Sequence, residues 1–248
     1  SIDSFPERDN KNLRVFESAK MSVCICTLRR NNQPDTCNFF PINVWHSRLM
    51  QDKHELNITV EEIMEIYPED FIIPISSNEK FAVLKDMKKK GQYHIRASAG
   101  EIDMTKYKSK FNNIGVGTRV ITGAQIQRYH ITDCPSQGEV IYIANQDKPV
   151  LSTKRESEVS CPRIVLQRIT GVDSKVRIIA TLIDKYVYCA NSTNYISLDD
   201  TINIKYLLGL LNSTLVNFFI KQTSTNTNIT AKVLNSIPII VSSSEEQI

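Results

Sequence analysis

The stretch Tyr206–Pro238, YLLGLLNSTLVNFFIKQTSTNTNITAKVLNSIP, decides how the rest of the chain is read. Tyr206, Leu207, Leu210, Leu211, Leu215, Phe218 and Phe219 recur at helical intervals and make one wide apolar face. This half is predicted to be a buried helix. After Lys221 the apolar pattern stops, and Gln222 to Asn228 is a run of small hydroxyl and amide residues. Thr230 can then cap a second short helix that ends at Pro238. The expectation is a polar loop clamped between packed helices. Side chains of this kind bond phosphates or base edges and lose little entropy on ordering. The same composition also suits an ordinary connection.

Outward from that stretch, the 248 residues suffice for one large domain or two small ones. With 41% hydrophobic and 23% charged residues the chain reads as globular, not disordered, and no apolar run is long enough to span a bilayer. No basic start followed by an apolar segment marks a signal peptide, so a cytoplasmic protein without a membrane partner is expected. The net charge of +3 says little about nucleic acid, because phosphate binding needs a local basic patch. Cys24, Cys26, Cys37, Cys134, Cys161 and Cys189 include no CxxC pair and no histidine at ligand spacing. They read as reduced, small core residues, which argues against structural zinc.

In chain order, Met21 to Leu28 reads as a buried strand. Thr59 and Glu62 form a capping box for TVEEIMEIY, and Ser77 to Gly91 is predicted as a helix with Phe81, Val83, Leu84 and Met87 apolar. Lys88, Lys89 and Lys90 suit a helix C-terminus. Strands are predicted over Gln92–Ser98, Thr118–Ile121, Gly138–Ala144, Pro162–Ile169, Lys175–Ile183 and Lys185–Ala190. GVDSK reads as a hairpin turn flanked by the long donors Arg163, Gln167, Arg168, Lys175 and Arg177. Gly123 suggests a positive φ or a close backbone approach, by DNA or by another strand. The class is α+β.

HIRASAG, VITGAQIQRYHI, PRIVLQRITGVDSKVRIIATLIDKYVY, NSTNYI and the helical end follow one another over Tyr93 to Pro238. In that order they resemble the TaqI-like C-terminal specificity domain of type II adenine-specific DNA methyltransferases and fused restriction-modification enzymes. The VFESAKMSVCI segment near the start resembles the last strands of the methyltransferase catalytic domain. The resemblance implies a β-rich DNA-specificity domain with a C-terminal helical pair, preceded by a short remnant of a methyltransferase sheet. Its expected divisions are a remnant over 1–30, a packed linker over 31–91, a target-recognition lobe over 92–200 and helices over 201–248. Double-stranded DNA is the implied partner. So is a catalytic domain of the same protein that is missing from these residues and uses S-adenosylmethionine to methylate a flipped adenine.

For a reader of duplex DNA, Arg and Lys suit guanine while Asn and Gln suit adenine. The candidate DNA-binding residues are therefore Arg96, Gln125, Gln127, Arg128, Gln167, Arg168, Lys175, Arg177, Asn226, Thr227 and Asn228. The resemblance sets Thr227 where a loop inserts near the flipped base, although the family's type member carries a bulkier or more rigid residue there. Catalytic chemistry is missing from the sequence: there is no Pro-Pro, hence no [NDS]PP[YFW] tetrapeptide, and Gly115-Val116-Gly117 neither follows an apolar strand nor opens a helix. Asp173 and Lys175 lack a second acid nearby, and His46, His54, His94 and His130 read as ordinary. No catalytic residue, metal or cofactor is expected in this segment itself. Two alternatives stay open, a protein-interaction module built on the β-rich lobe and a hydrolase with an unrecognised site.

Overall fold

In the computed structural model the described residues are 1–28, 39–68, 71, 73–74, 76–171, 174–197, 201–224 and 226–242, without the side chains of Phe39 and Phe40. They fall into two compact units, Ser1–Lys90 and Gly91–Ile248.

In the first unit, period-two alternation in KHELNIT buries Leu56 and Ile58 and makes β4 (Lys53–Thr59) an amphipathic strand. It completes a four-stranded sheet with β1 (Ile2–Phe5), β2 (Val23–Cys26) and β3 (Phe39–Trp45) in the order β2-β1-β3-β4. Only the β1–β3 pairing is parallel. The expected capping box is present. Thr59 Oγ1 accepts from the Glu62 N–H, and a Glu62 carboxylate oxygen accepts from the Thr59 N–H, both at 3.0 Å, at the start of α1 (Val60–Ile66). In α2 (Asn78–Lys90), Phe81, Leu84 and Met87 face inward, while Val83 is exposed, against expectation. The Met21–Leu28 segment also departs from the buried strand expected. β2 lies at the sheet edge, and Met21, Ile25 and Leu28 are exposed. The cysteines differ likewise: Cys24, Cys26, Cys134 and Cys161 are exposed and only Cys189 is a core residue, while Cys37 lies outside the described residues.

The second unit holds two four-stranded sheets. One runs β13-β7-β10-β6, from β6 (Phe111–Asn112), β7 (Thr118–Ile121), β10 (Ile141–Ile143) and β13 (Tyr188–Cys189). The other runs β12-β11-β14-β5, from β5 (Ala97–Ala99), β11 (Arg163–Gln167), β12 (Ala180–Ile183) and β14 (Thr193–Ile196). A hairpin joins β8 (Ile126–Gln127) to β9 (His130–Ile131). Alternation along β7 sends Val120 to a cluster with Ile102, Ile143 and Val159, the last on α3 (Thr153–Val159), and sends Ile121 to a cluster with Ile126, Val165, Ile183 and Tyr195. Arg163 lies in this interior, 2.8 Å from the Glu101 carboxylate and with its guanidinium 4.4 Å from the Tyr195 ring centroid.

The C-terminal stretch carries the largest difference from expectation. The single helix expected after Tyr206 is two, α4 (Ile204–Leu211) and α5 (Thr214–Thr223), before α6 (Ala231–Asn235). Ser213 stops the first by capping the second, its side chain accepting from the Val216 N–H. The restart resets the helical phase, so Val216, Asn217, Phe219 and Ile220 face inward and Leu215 is exposed. Thr230 caps α6, as its position in the sequence predicts.

Candidate nucleic-acid interface

β11 runs antiparallel to β12 and β14, with Leu166 opposite Ala180 and Gln167 opposite Thr193, so these residues share one end of the sheet. The chain continues past that end and pairs with the polar loop after α5. Ile169 bridges to Asn228, the Thr170 N–H donates to the Thr227 carbonyl at 3.0 Å, and the Ile229 N–H donates to the Arg168 carbonyl at 2.8 Å. The two features singled out in the sequence, the donor-rich segment and the hydroxyl-amide loop, therefore form one rim.

Arginines and asparagines build that rim. Arg168 donates from Nε to the Asn228 side-chain oxygen and from Nη1 to the Asn191 carbonyl, both at 3.1 Å. Arg177 donates to Thr170 Oγ1 at 3.2 Å and to the carbonyls of Ser224 at 3.2 Å and Asn226 at 2.6 Å. The Asn217 side-chain oxygen accepts from the Arg177 and Ile178 N–H groups, at 2.6 and 2.9 Å. β11 and β12 pair antiparallel, and the Gln167 N–H extends the ladder to the Ile179 carbonyl, while the Arg177 and Ile178 N–H groups are satisfied by a helix side chain. Of the expected GVDSK turn, Val172 and Asp173 lie outside the described residues. Asn212 exchanges two bonds with the Ala180 backbone, and Asn194 Nδ2 donates to the Ile229 carbonyl at 2.7 Å. Asn228 N–H in turn donates to the Asn226 side-chain oxygen at 3.0 Å, an Asx turn that shapes the loop.

The sequence candidates separate accordingly. Arg168, Arg177, Asn226, Thr227 and Asn228 come together, with Lys175 exposed in the connection leading to Arg177. Arg177 and Gln125 are both fully buried, and Arg177 gives its donors to Thr170, Ser224 and Asn226 within the fold. Gln125 completes a capping box with Thr122. Gln167 donates from Nε2 to the Ile126 carbonyl at 2.7 Å, and Gln127 is half-buried on β8. Arg128 is exposed at the hairpin tip and donates to the Asn212 carbonyl at 2.6 Å. Arg96 does not join them. It precedes β5, whose Ala97 pairs with Ile196, the opposite end of β14, and it lines a cleft of ≈ 330 Å³ with Lys154, Glu158 and Asn235. Gly123 has its close approach from the chain itself, since a Cβ there would lie 2.8 Å from the Ser192 carbonyl oxygen.

Sequence reasoning missed Asn194, Asn212 and Asn217, although two amides inside the apolar run LLNSTLVNFF are a visible signal. It also missed Tyr129, exposed at the hairpin tip with a φ of 70°, a left-handed conformation unusual for an aromatic residue. Among the described residues, no group of three or more His, Cys, Asp or Glu side chains is placed to hold a metal ion, and no helix is long and apolar enough to cross a membrane.

Residues 118–239 match the family model of the TaqI-like C-terminal specificity domain. Over that span, just under half of the chain, the sequence is similar to the TaqI-like C-terminal specificity domain, the family its motifs resemble. The match to the specificity domain starts at β7 and ends at Ile239, so it takes in the whole rim and leaves out Arg96. A search of curated proteins finds no match.

Proposed function

We propose that this chain reads the sequence of double-stranded DNA for an adenine-specific DNA methyltransferase of a restriction-modification system. The observation that carries the reading is the rim. Two segments rich in amide and guanidinium groups, separated by nearly fifty residues, are locked together at one sheet end, inside the span that matches a specificity domain. Readout of base edges needs side chains held to a fixed geometry. Lys175, Asn226 and Arg128 are exposed there and supply donors for phosphates and base edges. Arg168, Thr227 and Asn228 are half-buried and set the register of the loop.

In this proposal residues 1–30 are the end of a methyltransferase sheet, 31–91 a packed linker, 92–200 the recognition lobe and 201–248 its helices. Catalysis belongs to a domain outside this segment, and the protein works in the cytoplasm. S-adenosylmethionine belongs to that catalytic domain, because the glycine pair here does not fit it. Gly115 and Gly117 have φ of 83° and 99°, and a Cβ on Gly117 would fall 2.1 Å from the Ile143 carbonyl oxygen. Gly117 thus lets one strand pass another and cradles no cofactor.

The test is a gel-shift series with the full chain on random-sequence duplex at rising salt. Neutralisation of about four to six phosphates predicts a steep loss of affinity with a slope of that order. Binding that is absent at low salt, or independent of salt, contradicts the reading.

A further inference from the structure

We propose that Ile169 is a specificity-determining residue that reads the C5-methyl group of a thymine in the major groove, an inference that rests on the DNA-reading assignment above. Ile169 is 65% exposed, while Thr170 beside it is buried and Arg168 is half-buried. Single exposed apolar residues are common and need no explanation. What distinguishes this one is how it is held. Its backbone bridges to Asn228, and both neighbours are fixed to the same loop through Thr170 N–H on Thr227 and Ile229 N–H on Arg168. The Arg168 side chain adds bonds to Asn228 and Asn191. Turning Ile169 inward requires breaking that set.

The residues around it are polar: Arg168, Asn226, Thr227 and Asn228. An aliphatic prong on such a rim cannot satisfy the donors and acceptors that fill most of the major-groove edge. The thymine methyl is the apolar group exposed there, and the minor groove offers none. Ile169 is also β-branched, with few rotamers to lose on contact. The chemistry that fits a rigid, outward isoleucine among hydrogen-bonding residues is therefore a methyl on a base edge.

The test first selects preferred duplexes from a randomised pool with the full chain. It then replaces each thymine of a selected duplex, one at a time, by deoxyuridine. At one position, wild type is expected to bind the thymine duplex about three- to fivefold more tightly, the order expected for one buried methyl group. Ile169→Ala should bind both duplexes equally, and Ile169→Val should retain most of the difference. As an exposed residue, Ile169 can be truncated without emptying the core. Sequence-selective binding in which no thymine is distinguished from uracil overturns this inference and leaves the DNA reading standing. The same discrimination in Ile169→Ala overturns it as well. Failure to enrich or bind any duplex sinks the DNA reading, and this inference with it.

Discussion

Arg163 and Arg177 are both fully buried, yet they face different partners. Arg163 meets a carboxylate, Glu101, within the core of the β-rich unit. Arg177 reaches Thr170 and the carbonyls of Ser224 and Asn226, which belong to surface segments. The first consolidates the interior. The second carries the rigidity of the interior out to a rim, so that loops rich in small polar residues keep one shape without packing of their own. A donor-rich sequence can thus mean either scaffold or reader, and only the partners distinguish them.

That contrast breaks most visibly at the ion pair. Arg163→Met strands the Glu101 carboxylate in the core and is expected to cost about 3–5 kcal/mol, read by denaturant unfolding. Arg177→Met should cost less, about 2–3 kcal/mol. Its distinguishing effect is faster amide exchange confined to residues 224–229 and a flattened DNA sequence preference. An exchange pattern that changes equally throughout the unit would place Arg177 with Arg163 instead. Asn217→Ala, which uncovers the buried N–H groups of Arg177 and Ile178, should cost about 2 kcal/mol by the same measurement. Lys175→Ala should leave stability unchanged and lower the salt slope of DNA binding by about one.

The half-buried counterpart of the Arg163–Glu101 pair is Glu62–Lys85 in the first unit, at 2.6 Å. The hydrogen bond from the Lys85 ammonium holds the Glu62 carboxyl below the usual carboxylate range. A carboxylate depressed in the folded state stabilises above its unfolded pKa and loses that contribution as pH falls through the folded value. Glu62→Gln should therefore remove a small part of the acid dependence of stability, under about 1 kcal/mol, because solvent screens the pair. A larger change would mean that this pair is as consequential as the buried one.

Features set by local chemistry were legible in the sequence. The Thr59–Glu62 box, the Thr230 cap and the strand Thr118–Ile121 each follow from residues within a few positions of one another. The division of Tyr206 to Lys221 into two helices was not legible, because its apolar face reads as continuous. The break accommodates Asn212, whose partner, Ala180, is 32 residues away. The same limit applies to the site. Arg168, Arg177 and Asn228 were selected for donor chemistry, and that chemistry does not reveal whether a donor is already used inside the fold. Gln125 is one such case, its side-chain oxygen accepting from the Thr122 N–H at 3.0 Å. The separation of Arg96 from the other candidates was not legible either, since it follows from β5 entering its sheet at the end away from the rim.

The central claim, that the rim joining the end of β11 to the loop after α5 selects DNA sequence, is tested most directly by selection from a randomised duplex pool. Wild type, the double variant Lys175→Ala, Asn226→Ala and the single variant Arg96→Ala are compared as full chains. The account predicts a defined preferred sequence for wild type, the same sequence for Arg96→Ala, and loss of preference at one or more positions for the rim variant. An unchanged sequence logo for the rim variant, or one altered only by Arg96→Ala, contradicts it.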